Sequence, residues 1–134
     1  MLEFYFSFSR FIKQAYEDFP EPVSMPQIAI LFALEGRDDL TMQKVARHVV
    51  MDITTFSRQV QSLEKKGYVE RVPSEQDRRY YFLGLTVEGE RVVGEMDRLF
   101  ASRFDQLFSG MNEFEMETIK RSIQVLSAKL DSDQ

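Results

Sequence analysis

The middle of the chain, where helix start and stop signals fall close together, most constrains its fold. A short helical pattern begins at Thr41, Asp52 stands in N-cap position before a second pattern, and Gly67 follows where helices commonly end. Two stretches rich in β-branched and aromatic residues then flank a polar loop in "VERVPSEQDRRYYFLGLT", residues 69–86. This order predicts a short helix, a turn, a second capped helix and a β-hairpin.

Two short helices joined by a tight turn are typical of a helix-turn-helix, and a hairpin directly after them makes the winged variety. Four flanking helices are predicted as well, which gives a mainly α fold (α+β, winged helix-turn-helix) of about six helices. Phe4, Phe6 and Phe8 alternate and also fit a strand, but the length of the pattern favours a helix. The signals that bound these helices are Pro20 and Pro22, the capping pair Ser24 and Gln27, Gly36, Gly110, and the capping pair Asn112 and Glu115.

Composition restricts the available chemistry. The 134 residues, 43% of them apolar, suffice for the core of one domain. There is no cysteine and one histidine, His48, so thiol redox sensing, disulfides and histidine metal clusters are excluded. No nucleophile–base pair or phosphate-binding glycine loop is recognisable, so we expect neither an enzyme nor a cofactor or metal. Without an apolar run of about 20 residues or a signal-peptide pattern, we expect a soluble cytoplasmic protein.

Charge is distributed unevenly along the chain. The net charge is −5, yet residues 41–82 contain eight basic and five acidic residues, a net charge of +3. An acidic body with one basic face can still steer toward DNA, because the local potential matters more than the isoelectric point. A chance fluctuation of charge explains the same count.

The helix that follows Asp52 has two distinct faces when its residues are placed at 100° intervals. The residues expected to be buried fall within one arc: Ile53, Phe56, Val60 and Leu63. The opposite side and its flanks carry hydrogen-bonding or basic side chains without a carboxylate: Thr54, Thr55, Arg58, Gln61, Ser62 and Lys65. Arginine binds guanine, glutamine binds adenine and threonine methyls contact thymine in the major groove. Ordinary solvated helix surfaces mix acids with bases, so we interpret these six residues as a DNA-reading face.

The tip of the hairpin carries Asp77, Arg78 and Arg79. A hairpin tip beside a recognition helix lies over the neighbouring minor groove, where narrow A·T-rich sequence attracts arginine. Either arginine can be the inserted one, and Asp77 is expected to orient a guanidinium through a charge-assisted pair. The alternative is a hairpin whose charges only keep it soluble.

Three quoted stretches together resemble the MarR family of winged-helix transcriptional regulators. They are "SMPQIAILFALEG", "TMQKVARHVVMDITTFSRQVQSLEKKGYVERVPSEQDRRYYFLGLT" and "VEGERV", and the match runs without a gap over residues 24–91. The resemblance identifies Arg79 as the second arginine of an Asp-x-Arg motif that begins at Asp77. Val50 stands where the family commonly has glycine, which predicts a tighter or displaced turn.

The resemblance implies a homodimer that binds a pseudo-palindromic site in double-stranded DNA and represses transcription. It divides the single domain, residues 1–134, into a DNA-binding core over 24–86 and a dimerisation region over 1–20 and 87–131. Apolar side chains of the terminal helices are the expected dimer interface: Phe4, Phe8, Phe11, Ile119, Ile123, Leu126 and Leu130. It also implies a small aromatic or phenolic effector, for which no binding residues are assigned. The competing interpretation is a winged-helix protein-interaction module, or an anti-repressor, that does not itself read DNA.

Overall fold

The computed structural model describes residues 1–132, and within them the chain forms six α-helices and a three-stranded antiparallel sheet. The predicted mainly α winged fold is confirmed, with four helices, a hairpin and two further helices in that order. The elements in chain order are α1 (Leu2–Glu17), α2 (Met25–Leu34), β1 (Leu40–Thr41), α3 (Met42–His48), α4 (Ile53–Lys65), β2 (Val69–Pro73), β3 (Tyr81–Leu85), α5 (Val87–Phe108) and α6 (Glu113–Ser132).

Local capping explains where the helices begin. Both hydrogen bonds of the predicted capping box at α2 are present, since Ser24 Oγ accepts from Gln27 N and Gln27 Oε1 accepts from Ser24 N. Asn112 and Glu115 form the same reciprocal pair at α6, with distances of 2.9 and 3.0 Å. At the start of the chain the structure is helical, so the alternative of a strand there was wrong.

The sheet has the order β1-β3-β2, so β3 is its central strand. The hairpin pairs Val69 with Leu85 and Pro73 with Tyr81, and β1 pairs Leu40 with Leu83. Strand β1 was not predicted, because two residues are too few to show a period. By pairing with β3, strand β1 attaches the segment before α3 to the wing hairpin.

The chain divides into two compact units, and the first comprises residues 1–99. Its core is built from one face of each helix around β3. The fully buried side chains are Ile30, Leu31, Leu34, Val45, Phe56, Val60, Leu63, Leu83, Val92, Val93 and Met96. Helix α5 approaches the chain after α4 closely, since a Cβ at Gly89 would lie 2.0 Å from the Tyr68 carbonyl oxygen.

The second unit begins at Phe100, within α5, and contains α6. The rings of Phe104 and Phe108 stack with centroids 6.2 Å apart. Among the described residues of α6 none is buried, although the helix carries several large apolar side chains.

Candidate nucleic-acid interface

Helix α4 is anchored at its first turn by Asp52. The carboxylate Oδ1 accepts a hydrogen bond from Thr55 N at 2.9 Å. Hydrogen bonding from the Thr55 side chain, and then from its backbone N–H, lowers the pKa of Asp52. Phe56, Val60 and Leu63 are fully buried, as predicted. Ile53 was expected beside them but is 50% exposed, because it is the first helical residue and extends past the edge of the core.

The opposite face of α4 is exposed to solvent. Thr54, Arg58, Gln61 and Lys65 follow one line along the helix, at intervals of three and four residues, and Thr55 lies on its flank. Within residues 1–132, neither Arg58 nor Lys65 forms an ion pair. The cationic groups on this face are therefore available to an anionic partner.

Ser62 differs from the other five residues of the predicted reading face. It is half-buried, and its Oγ accepts a hydrogen bond from Gln27 Nε2 at 3.1 Å. The hydroxyl thus contacts α2 on one flank of α4. On the other flank Glu64 binds Arg71 of β2 through two hydrogen bonds of 2.8 and 3.2 Å.

The tip of the wing is shaped by its own side chains. The buried Ser74 accepts hydrogen bonds at Oγ from Gln76 N and Asp77 N, at 3.3 and 3.4 Å. Tyr80 N donates to the Asp77 carbonyl at 3.0 Å, which closes a turn over residues 77–80. This turn presents two arginines at its central positions.

Asp77 binds Arg79 and not Arg78 within this turn. The guanidinium of Arg79 donates from Nε to Oδ1 at 3.1 Å and from Nη2 to Oδ2 at 2.9 Å, and the Arg79 backbone N–H also donates to Oδ1 at 3.0 Å. These hydrogen bonds lower the pKa of Asp77 and raise the pKa of Arg79. The Arg79 side chain remains 87% exposed, so the pair holds it in a fixed direction without burying it.

Two exposed cations of the helix-turn-helix were not assigned to the site from the sequence. Lys44 and Arg47 are exposed on α3. Both belong to the basic segment over residues 41–82, and its net positive charge could have indicated them as DNA contacts. His48 is also exposed in the last turn of α3, and the described residues contain no cluster of three or more potential metal ligands that includes it.

The turn between α3 and α4 passes through Val50. Its φ is 53°, a left-handed conformation in which valine is unusual, and its side chain is 81% exposed. Val50 thus adopts the backbone conformation that glycine adopts most easily, and the strain lies at the position where the family commonly has glycine.

Five of the seven apolar residues predicted for a dimer interface are exposed to solvent in this chain. The exposed fractions are 63% for Phe4, 58% for Leu126 and 59% for Leu130, and Phe8 and Ile123 are also exposed. Phe11 and Ile119 are half-buried. On α1 the rings of Phe4 and Phe8 stack, with centroids 5.6 Å apart. Among residues 1–132, no helix is long and apolar enough to cross a membrane.

Helices α3 and α4 followed by the β2–β3 hairpin define a winged helix-turn-helix protein. Comparison with known proteins identifies the family within this class. The MarR family model matches residues 23–81. SarZ of Staphylococcus epidermidis, an HTH-type transcriptional regulator, is 30% identical over 105 residues, which cover 77% of this chain and 70% of that protein. The repressor IacR of Pseudomonas putida is 20% identical over 82% of this chain and 66% of its own length. The chain belongs to the MarR family of transcriptional regulators, and it spans about two thirds of these relatives.

Solved structures show the same fold. A MarR family protein from Bacillus stearothermophilus superposes with a TM-score of 0.84 at 22% identity, covering 97% of this chain and 91% of that one. FabT of Streptococcus pneumoniae, solved in complex with DNA, has a TM-score of 0.80 at 23% identity, covering 98% and 96%. Family membership places the chain among regulators and not among enzymes, as expected from its composition.

Proposed function

We propose that this regulator is a homodimeric repressor that binds a pseudo-palindromic operator in double-stranded DNA. The observation that carries the proposal is the carboxylate-free, exposed face of α4 beside an arginine wing, in a chain whose net charge is otherwise negative. That arrangement concentrates positive potential on one side of an acidic molecule. The DNA complex of the structural neighbour FabT supports duplex DNA as the partner.

In this proposal α4 lies in the major groove. Thr54, Thr55, Arg58, Gln61 and Lys65 contact base edges or flanking phosphates, with Arg58 suited to guanine and Gln61 to adenine. Ser62 supports the helix from its flank, because its hydroxyl is engaged by Gln27. Lys44 and Arg47 of α3 add phosphate contacts, which position the protein without reading sequence.

The wing contributes Arg79 to the minor groove, with Asp77 as its orienter. Support comes from the bidentate pair, which presents the Arg79 guanidinium in one direction while leaving it accessible. Arg78 has no such support from Asp77, and we assign it to the phosphate backbone. The sequence alone left open which of the two arginines enters the minor groove.

Dimerisation through the terminal helices is supported by their exposed apolar residues, since monomeric proteins rarely leave large apolar patches in water. A dimer presents two α4 helices, which is why we expect an inverted repeat. Release by a small aromatic or phenolic effector completes the proposal, and it rests on family membership alone.

The second candidate is a protein-interaction module that does not read DNA, which the net charge of −5 favours. A protein-binding surface is expected to be rich in aromatic residues at its centre. The exposed face of α4 instead carries Arg58, Gln61 and Lys65 between threonines. That composition favours DNA.

A matched pair of wing variants tests the proposal. Arg79→Ala and Arg78→Ala remove the same charge one residue apart, so a bulk charge effect weakens DNA binding equally in both. We expect Arg79→Ala to lose about tenfold more affinity for an A·T-flanked operator than Arg78→Ala, because it removes a minor-groove contact. Each should reduce the salt slope by about one unit, because each removes one cation near the DNA.

Fluorescence anisotropy with a labelled operator at several salt concentrations measures both quantities. Lys13→Ala, on α1, is the control and should bind as the parent does. Equal affinities for the parent and both wing variants would contradict a DNA-reading wing.

A further inference from the structure

The amide of Gln27 lies buried between α2 and α4, with only 5% of the residue exposed. Nε2 donates to Gln59 Oε1 at 3.0 Å and to Ser62 Oγ at 3.1 Å. Oε1 accepts from Ser24 N at 3.1 Å and from Lys66 Nζ at 2.9 Å. A primary amide has two donor hydrogens and two acceptor lone pairs, so all its hydrogen-bonding positions are used.

Three partners of Gln27, two on α4 and one at its C-cap, form a single stripe. Gln59, Ser62 and Lys66 are spaced by three and four residues, so they share one side of the helix, between the buried face and the exposed face. Lys66 also contacts the Pro22 carbonyl, before α2. The Gln27 cluster, as we call these four side chains, therefore holds one flank of α4 against the start of α2.

The other flank of α4 is held by Glu64, which binds Arg71 of β2. Between these two polar attachments the helix rests on Phe56, Val60 and Leu63. Apolar packing is non-directional and tolerates small rotations of a helix, whereas hydrogen bonds lose strength quickly when their angles change. The polar attachments on the two flanks therefore add a directional restraint on the rotation of α4 about its own axis.

We infer that Gln27 is a positioning residue for base recognition: it holds α4 at the rotation that aims Arg58 and Gln61 at base edges. The inference rests on the proposed function, in which α4 reads DNA. Gln27 itself is buried, so we expect it to act through α4 and not by contacting DNA. Rotation by a few degrees displaces the tips of long side chains most, so discrimination between base pairs depends on the cluster more than phosphate binding does.

The experiment compares Gln27→Met with a packing control. Methionine has a similar length and fills the same space but accepts and donates none of the four hydrogen bonds. Ile30→Val shortens a fully buried side chain of the same helix and leaves the Gln27 cluster intact. Both variants should keep the helical circular dichroism spectrum and melt somewhat below the parent.

The measured quantity is a discrimination ratio: affinity for an operator recovered from a random pool, divided by affinity for the same duplex with one base pair changed under α4. We expect Gln27→Met to lower this ratio by about threefold or more. Its affinity for unrelated duplex should stay within about twofold of the parent's, because phosphate contacts depend less on the rotation of α4 than base contacts do. Ile30→Val should keep the parent's ratio.

A folded Gln27→Met protein with the parent's ratio would overturn the inference, as would an equal fall in Ile30→Val. If Gln27→Met does not fold, Gln59→Leu removes one acceptor of the cluster from the α4 side and should lower the ratio in the same direction; an unchanged ratio there overturns the inference too. A parent protein that selects no sequence at all contradicts the proposed function instead.

Discussion

Val50 is the residue whose backbone conformation is least suited to its side chain. A φ of 53° places a β-branched residue in the left-handed region, which costs about 1–3 kcal/mol. The side chain is 81% exposed, so it gains little by packing. The turn of the helix-turn-helix therefore stores strain next to the helix that we propose reads DNA.

Replacing Val50 with glycine should stabilise the protein by about 1 kcal/mol, because relief of strain exceeds the entropy that glycine adds to the unfolded chain. Urea denaturation followed by circular dichroism measures the change. The reverse exchange, Gly36→Ala, is the matched control: its φ is 66° with nothing near a Cβ, so it should lose a similar amount. A Val50→Gly protein less stable than the parent would show that this turn is not strained.

The wing shows how far single residues could be predicted. A carboxylate beside two arginines was enough to predict an orienting pair. The sequence could not tell which arginine pairs, because the two are adjacent and both side chains are long enough. The turn decides it, since the Asp77 carboxylate that accepts from the Arg79 backbone N–H also meets the Arg79 guanidinium.

At the scale of helices and strands, the hairpin and α5 are held together by a close backbone approach. A Cβ at Gly89 would meet the Tyr68 carbonyl oxygen at 2.0 Å and its carbon at 3.0 Å. Both are backbone atoms and cannot turn aside as a flexible side chain would. Glycine at this position lets α5 lie against the chain that joins α4 to the wing.

Gly89→Ala should therefore destabilise the protein by about 1–3 kcal/mol, the usual cost of overpacking. Gly94→Ala is the control in the same helix: its Cβ would meet only the Arg98 side chain, at 3.6 Å, so it should be neutral or stabilising. Thermal or urea unfolding of the two variants gives the comparison. Equal stability of both variants would mean that α5 can shift without cost.

Elements whose ends depend on local signals were predicted well, and those that depend on distant partners were not. The caps at Ser24, Asp52 and Asn112 act within four residues, so the sequence contains them. Strand β1 exists because Leu40 meets Leu83, more than forty residues away. The exposure of Ile53 likewise depends on where neighbouring elements stop, which no helical periodicity describes.

An ion-pair cluster joins the segment before α2 to α5. Arg91 binds Glu21 at 2.8 Å, Glu88 at 2.9 Å and Glu95 at 2.7 Å, and the Tyr68 hydroxyl donates to Glu21. The hydrogen bond from Arg91, and then that from Tyr68, lower the pKa of Glu21. A carboxyl whose pKa is lower in the folded than in the unfolded state contributes stability above its unfolded pKa and loses it as the pH falls through the folded pKa.

The free energy of unfolding should accordingly fall as the pH drops below about 4.3, the ordinary pKa of glutamate. Glu21→Gln should lose less stability over this acidic range than the parent, because it has no carboxylate to protonate. Urea unfolding at a series of pH values measures the slope. The control is Glu17→Gln, an exposed carboxylate of α1, and an identical pH slope for the two variants would exclude the Arg91 cluster as the cause.

Two features of the whole molecule indicate that it binds partners. A basic helix-turn-helix segment lies in an acidic chain, and large apolar side chains of the terminal helices face solvent. Apolar periodicity predicted these helices and their apolar stripes, whereas the expectation that the stripes form a dimer interface came from the family resemblance. What those stripes contact in an assembly is not contained in the periodicity of one chain, because core and interface residues share the same spacing.

Leu126→Glu should weaken the proposed dimer, because it places a charge at an apolar contact. Sedimentation over a range of protein concentrations should show a dimer for the parent and a monomer for the variant. Gln124→Glu adds the same charge on nearly the opposite side of α6 and should remain dimeric. A parent that sediments as a monomer at high concentration would contradict the homodimer.

Selection of bound duplexes from a random pool at near-physiological salt shows whether this chain reads DNA sequence as a dimer. We expect an inverted repeat whose half-sites lie about one helical turn apart, because two α4 helices of a dimer enter successive major grooves. Recovery of no preferred sequence, with binding that disappears as salt rises, would contradict it, since that is the behaviour of phosphate contacts alone.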